Sequence, residues 1–365
     1  MAPFVYTSAP QRVVFGPGSL ARLPEEIERL GGSGACRALV LCTPEQAASA
    51  EQVAALLGDR CAGVFAHAVM HVPVETARAA RAEANRLGVD CAVAIGGGST
   101  VGLGKAIALE SGLPILAIPT TYAGSEMTPI WGLTEAGVKK TGRDARVLPR
   151  TVIYDPELSL SLPLSLSVTS AMNAIAHAAE GLYAHDGNPI VTLMAEEAIR
   201  ASAAALPALQ RDARDLAART DALYGAWLAG GVLGAVAMGL HHKLCHTLGG
   251  SFNLPHAEVH TVVLPHALAY NAEAAPDAMA RIARGLRAAG LDVGPAPLDA
   301  ALALQTLAHR SGAPTSLATL GMAADGLDRA ADLAVQNQYP NPRVLVRAPI
   351  RALLQRAFDG HAPQP

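Results

Sequence analysis

The sequence predicts an α/β plus all-α protein: an N-terminal doubly wound, mostly parallel Rossmann-like sheet, then a C-terminal all-helical domain. Three observations predict it. Apolar runs alternate with helical patterns over roughly the first 160 residues. The β pattern nearly vanishes beyond the Ser/Leu/Pro junction "SLSLPLSLS" at 159–167. A chain of 365 residues is also too long for one compact core, so 1–160 and 161–365 are expected as separate domains.

The strands are "RALVLCT" (37–43), "CAVAIGG" (91–97), "PILAIPTT" (114–121) and "RTVIYDPEL" (150–158). Their hydrophobicity is continuous rather than alternating, as a parallel sheet covered on both faces requires. Helical patterns lie between them at 44–58, 74–88 and 99–111. "RVVFGPGSL" (12–20) runs into a Gly-Pro-Gly turn that opens a helix, and 129–149 reads as a hairpin with "EAGVKK" at its turn. Helices are expected at 165–184, 189–205, 208–240, 276–289, 297–311, 322–337 and 344–358. Residues 223–240 carry no charge for eighteen positions, about enough to cross a bilayer. Five of them are glycines and "HHK" follows at once, so the stretch reads as a buried central helix and no membrane partner is expected.

Net charge is −3 with no basic stripe, which excludes nucleic acid as a partner. Five cysteines (36, 42, 61, 91, 245) lack CxxC spacing, which points to reduced thiols and a cytoplasmic protein. The first residues, "MAPFVYTSAPQRVVFG", do not read as a signal peptide.

"AIGGGSTVGLGKAIAL" (94–109) is strand, glycine loop, then helix. Glycines admit a phosphate close to the backbone, and the helix N-terminus offers N–H groups and a positive dipole end. Gly96, Gly97, Gly98 and Ser99 are therefore candidate cofactor contacts, although the spacing is neither Walker A nor GxGxxG. "IPTTYAGSEMT" (118–128) adds hydroxyls at Thr120, Thr121 and Ser125 after the next strand, where a dinucleotide would sit. The run "LVLCTPEQ" ends at Cys42 and Thr43 with no carboxylate to hold a ribose 2′-OH or repel a 2′-phosphate, so both NADH and NADPH are expected to bind beside Thr43.

Residues 240–260, "LHHKLCHTLGGSFNLPHAEVH", hold five of the twelve histidines. His242 and His246 are i and i+4, as are Asn173 and His177 in "AMNAIAHAAE", so each pair shares a helix face. His256 follows Pro255 in the loop read after the helix. Polar pairs of this kind in an Ala-rich domain suggest function. Glu180 is a candidate orienting partner for His177 or half of a buried salt bridge. Tyr122, Lys243 and Arg343 are weaker candidates, and Cys245 stands between two of the histidines. His241, His260 and His266 get little weight, and His67, His71, His185, His309 and His361 read as surface residues.

"GGGSTVGLGK", "IPTTYAGSE", "AMNAIAHAAEGLYA", "HHKLCHTLGGSFNLPHAEVHTVVLPHAL" and "NPR" (341–343) occur in order across nearly the whole chain. In these the chain resembles the iron-containing (group III) alcohol dehydrogenase family, whose fold is dehydroquinate synthase-like. The resemblance implies an NAD(P)H-dependent oxidoreductase, commonly a homodimer, with imidazoles gathered over the nicotinamide between two domains. Matched motif by motif, the family's one Asp and three His metal ligands fall on Asn173, His177, His242 and His256, and His246 matches a further histidine of that cleft. The match departs at Asn173, where the carboxylate ligand should stand, and at Gly102, which replaces the Asp common after the glycine loop. Both departures resemble a branch regarded as working without a metal, which reduces the C=C bond of maleylacetate to 3-oxoadipate in aromatic-compound degradation. On that reading the substrate is a small dicarboxylate, metal is absent, and His242, His246, His177, His256 and Asn173 line the catalytic pocket. The alternative is a metal-dependent group III alcohol dehydrogenase. A carboxylate ligand would neutralise half the charge of a divalent ion, whereas Asn offers a neutral amide oxygen, although three histidines and a water can still hold zinc.

Overall fold

The computed structural model describes residues 3–31, 36–136 and 138–365. It divides into two compact units, Ser8–Leu162 and Pro163–Pro365, the second joined by the N-terminal residues through Thr7.

In the first unit the chain runs β1 (Arg12–Phe15), α1 (Leu23–Gly31), β2 (Ala38–Leu41), α2 (Ala47–Leu57), β3 (Cys61–Phe65), α3 (Val74–Leu87), β4 (Cys91–Gly96), α4 (Gly98–Ser111), β5 (Ile115–Pro119), β6 (Ile130–Glu135), β7 (Val138–Arg143) and β8 (Thr151–Tyr154). Six of these strands form one parallel sheet in the order β1-β8-β5-β4-β2-β3, and β6 and β7 pair antiparallel as the expected hairpin. The Gly-Pro-Gly turn opens a short 3-10 helix before α1.

The four strands read from the sequence are fully buried along their length, while the edge strand β1 is not. Alternate residues feed two cores. Val40, Val93, Leu116 and Ile153 pack with Leu23, Ile27 and Val53 on one face. Leu39, Leu41 and Ala92 pack with Ala77, Ala80, Leu103 and Ile107 on the other. Helices α1 and α2 thus cover one face and α3 and α4 the opposite one, which is the double winding. The strand β3 was not foreseen. It is a half-exposed edge with Gly63 at its centre, which weakens a strand pattern.

The second unit is helical throughout: α5 (Leu164–Gly181), α6 (Pro189–Arg211), α7 (Leu216–Ala235), α8 (Leu240–Phe252), α9 (His256–Asn271), α10 (Pro276–Ala288), α11 (Asp299–Arg310), α12 (Gly326–Val335) and α13 (Arg347–Asp359). The expected helix 208–240 is not continuous. Its start belongs to α6, and α7 and α8 meet at 95°. Their break is held by acidic side chains. Asp186 accepts the Ala237 N–H at 3.0 Å and Glu180 accepts the Gly239 N–H at 3.0 Å. No single helix among the described residues is long and apolar enough to cross a membrane. The apolar sides of α8 and α9 share a core with α12 and α13, built on Leu244, Leu248, Val259, Val263, Leu327 and Leu354.

Candidate active site

The β2, β3 and β4 order matters first. From β2 the chain moves outward to β3, then returns to the other side of β2 as β4 and continues away through β5. The winding therefore reverses between β2 and β4, and ligands of open α/β sheets bind outside the carboxyl ends of the strands at such a reversal. Three loops leave those ends. Gln46, three residues after Thr43, donates Nε2 to Thr120 Oγ1 at 2.7 Å, and the Thr120 N–H donates to the Gly96 carbonyl at 3.1 Å. Gly96 has φ 148°, and a Cβ there would lie 2.4 Å from Gln46 Oε1 and 2.5 Å from Thr100 Oγ1, so only glycine fits. A Cβ on Gly97 would meet Thr121 at 3.1 Å. Thr43, Gly97, Gly98, Ser99, Thr121 and Ser125 are all half-buried, whereas Gly96 and Thr120 are buried.

Gly102 has a structural reason. Val72 Cγ2 lies 2.8 Å from where its Cβ would be, so the branched side chain occupies the space of the missing one. Val72 and His71 are left-handed at φ 46° and 65°, a costly conformation for a β-branched residue. Thr134 of β6 clamps both: its Oγ1 donates to the His71 carbonyl at 2.8 Å and its N–H to that of Val72 at 3.1 Å. His71 is thus half-buried rather than on the surface.

In the helical unit, Asn173, His177 and Glu180 stand on α5, His241, His242 and His246 on α8, and His256 and His260 on α9. The imidazoles form one cluster. Ring centroids lie 5.0 Å apart for His177 and His242, 6.4 Å for His242 and His246, and 6.4 Å for His246 and His256. His260 sits 5.0 Å from His242 and 4.3 Å from His256. The four predicted histidines are therefore brought together, with Asn173 one turn before His177 on α5, along with two that sequence reasoning set aside, His241 and His260, both fully buried. His256 opens α9 rather than lying in a loop, and His260 follows it at i+4 on the same helix. That spacing was the signal for His260. Hidden by reading Pro255–His256 as loop, it becomes visible once α9 is started at Pro255.

Glu180 organises α8. Its carboxylate accepts the N–H groups of Gly239 (3.0 Å), His241 (3.0 Å) and His242 (3.3 Å), capping the first turn. The same group lies 2.7 Å from His242 Nδ1 and 3.2 Å from Tyr183 Oη. Of the two roles expected for Glu180, the buried pair is the one formed, with His242 rather than His177. A carboxylate accepts, so His242 carries its proton on Nδ1 when neutral and turns a bare Nε2 toward the cluster. His241 faces the other way, with Nε2 donating to the His260 carbonyl at 3.0 Å. Asn341 of the "NPR" motif helps from behind: its Oδ1 accepts the Leu240 N–H at 3.3 Å.

Asn173 Oδ1, His177 Nδ1, His242 Nε2 and both ring nitrogens of His260 are buried without a hydrogen-bond partner. Each such group costs about 1–3 kcal/mol if left unpaired, so the cluster is built for something that supplies partners. Burial, reinforced by the neighbouring imidazoles, pushes His177, His242 and His260 well below the usual histidine value and His241 down to about 4. Burial pushes Glu180 up, against the pull of His241 and the three N–H bonds. His177, His241, His242 and His260 are therefore held in the neutral form. His246 is exposed and His256 half-buried. Of the weaker candidates, Tyr122 is buried in the sheet unit. Lys243 is exposed, with its ammonium 5.3 Å from the Tyr339 ring. Arg343 stacks on Tyr270 and donates to its carbonyl, a structural use.

Residues 10–156 match the sequence profile described as iron-containing alcohol dehydrogenase, and 167–358 match that of the Fe-containing alcohol dehydrogenase family, C-terminal. The chain belongs to the iron-containing alcohol dehydrogenase family. Within it, the chain is 66% identical to a maleylacetate reductase of Burkholderia cepacia over 100% of both chains. It is 58% identical to one of Sphingobium indicum over 99% of each. The crystal structure of maleylacetate reductase from Agrobacterium tumefaciens superposes with a TM-score of 0.93 at 55% identity, covering 100% of both chains.

The iron in the family's name is tested by the donor set. Asn173, His177, His242 and His256 offer an amide and three imidazoles, and none carries negative charge. Among the described residues the carboxylate bonded within the cluster is Glu180, engaged by His242 and three backbone N–H groups, although its ligand atoms and those of His241 and His242 lie within 4.8 Å of one another. Three imidazoles with a water can still hold a divalent ion, but the amide of Asn173 brings none of the negative charge that a carboxylate ligand would.

Proposed function

We propose that the chain is an NAD(P)H-dependent oxidoreductase that reduces the C=C bond of maleylacetate to 3-oxoadipate without a resident metal. The observation that carries the reading is the set of buried polar atoms without a hydrogen-bond partner, Asn173 Oδ1, His177 Nδ1, His242 Nε2 and both ring nitrogens of His260, with a neutral amide at position 173. The full-length likeness to maleylacetate reductases supplies the substrate.

Thr43, Gly96, Gly97, Gly98, Ser99, Thr120, Thr121 and Ser125 would hold the dinucleotide, the N–H groups at the start of α4 being suited to its pyrophosphate. A bound nicotinamide would supply hydride to the alkene carbon β to the ketone. The C=C π electrons shift toward the ketone oxygen, and the resulting enolate takes a proton at its α carbon. NADH, maleylacetate and one proton thus become NAD⁺ and 3-oxoadipate. An enolate oxygen is less basic than an alkoxide, so hydrogen-bond donors suffice where an alcohol dehydrogenase uses a metal. Asn173 and His177 supply such bonds, and His256 faces a carboxylate of the substrate. His242 delivers the proton from Nε2. The incoming dicarboxylate favours its protonated form, and Glu180 at Nδ1 stabilises the imidazolium. His246, exposed on the same helix, reloads it from water. The bare end of β2 leaves room for NADPH as well as NADH. The family resemblance adds a homodimer, which sedimentation tests, and a cytoplasmic site of action.

The test is NADH oxidation with maleylacetate before and after EDTA. Turnover that survives chelation, in protein with less than stoichiometric metal, is the expected result. Activity lost to EDTA and restored by Fe²⁺ or Zn²⁺ overturns the metal-free reading.

A further inference from the structure

Lys105 stands on α4, seven residues past Gly98, and is 1% exposed. Its ammonium faces four oxygens: the carbonyls of Ser125 (2.7 Å), Thr128 (2.8 Å) and Ile130 (2.7 Å), and Thr128 Oγ1 (2.9 Å). An ammonium has three donors and no acceptor, so every one is used. Three carbonyls converging in a buried place repel one another unless a cation sits among them. Residues 125–130 are therefore wrapped around Lys105 much as a loop wraps a metal ion. Thr128 tightens the wrap, with Oγ1 donating to the Ser125 carbonyl and accepting the Ile130 N–H. Burial pulls Lys105 down to about 7, and Glu126, itself buried and tied to β8 through the Tyr154 hydroxyl at 2.7 Å, pulls it back toward the charged form that the four oxygens bind.

We propose that Lys105 is a positioning residue for nicotinamide-nucleotide binding: it straps the loop carrying Thr120, Thr121 and Ser125 to the helix that follows the glycine loop, so both loops meet the cofactor as one rigid body. This rests on the nucleotide reading above. It adds a residue that touches no cofactor and whose whole effect runs through loop order. A loop already fixed does not spend binding energy on being ordered when the ligand arrives.

The experiment compares wild type with Lys105→Met, which keeps the stem and removes the donors. It reads NADH affinity by fluorescence titration, kcat at saturating NADH, and amide exchange across 120–130. The expected result is a Kd for NADH raised at least about tenfold, kcat within about twofold, and faster exchange confined to 120–130 while the helices of Pro163–Pro365 keep their protection. Should Lys105→Met fail to fold, Thr128→Val removes one acceptor without orphaning a charge. It is expected to weaken NADH binding several-fold with the same local exchange. NADH affinity and exchange unchanged in the folded variant, with wild type binding NADH, overturn the strap alone. A wild type that binds no NADH overturns the nucleotide reading and the strap together.

Discussion

The Glu180 carboxylate lies 2.7 Å from His242 Nδ1 and accepts the N–H of His242 itself at 3.3 Å. One side chain thus fixes both the turn on which the imidazole stands and the nitrogen that bears its proton. Glu180→Gln keeps the size but presents an amide that cannot stabilise an imidazolium. The expected result is a fall in kcat of about two orders of magnitude, with a smaller change in KM, measured by steady-state kinetics. An unchanged kcat removes Glu180 from catalysis and leaves it as a helix cap.

Acid should unfold the protein by way of its buried histidines. Burial holds His266 down to about 4, against 6.5 in the unfolded chain. Between those values the unfolded state binds more protons, so stability is complete above about 6.5 and falls as pH drops toward 4. The slope is about 1.4 kcal/mol per pH unit for each such group. His177, His241, His242 and His260 act in the same direction. Glu180, pushed up, opposes them as a single group. Melting temperature followed from pH 8 to pH 4.5 should fall steeply below about 6.5, and a flat profile would contradict the burial of these rings.

Asn173→Asp restores the charge that the cluster lacks. Affinity for Zn²⁺ or Fe²⁺ should rise at least about tenfold, read by calorimetric titration with elemental analysis after dialysis. Equal metal content in both proteins would show that charge at this position does not govern metal occupancy.

Thr43→Asp places a carboxylate at the end of β2. The ratio of kcat/KM for NADH over NADPH should rise at least about tenfold, because a 2′-phosphate would meet like charge there. An unmoved ratio would place the adenosine ribose elsewhere.

Much of this was readable in the sequence, for reasons that differ by element. The strands β2, β4, β5 and β8 announce themselves because both their faces are covered, which demands unbroken apolar runs. The edge strand β3, with Gly63 at its middle, has no such demand. The corner between α7 and α8 is invisible because Val236–Gly239 is as apolar as the helices around it. Only acceptors from distant residues, Asp186 and Glu180, define the break. Asn173, His177, His242 and His246 were found by i,i+4 spacing, a local signal. His260 carries the same i,i+4 signal with His256 once α9 is begun there, whereas His241 joins them only through the convergence of three helices. Glu180 was paired with the wrong histidine for a related reason. The nearest ring in sequence is His177, but the free N–H groups of a helix start draw a carboxylate more strongly than a neutral ring does.

The imidazoles project from one side of α8 and α9 while the apolar sides of those helices are anchored to α12 and α13. Scaffold and chemistry are thus carried by different side chains of the same segments. A scaffold built this way leaves a donor such as the amide at position 173 free to be exchanged without disturbing the packing that holds the helices.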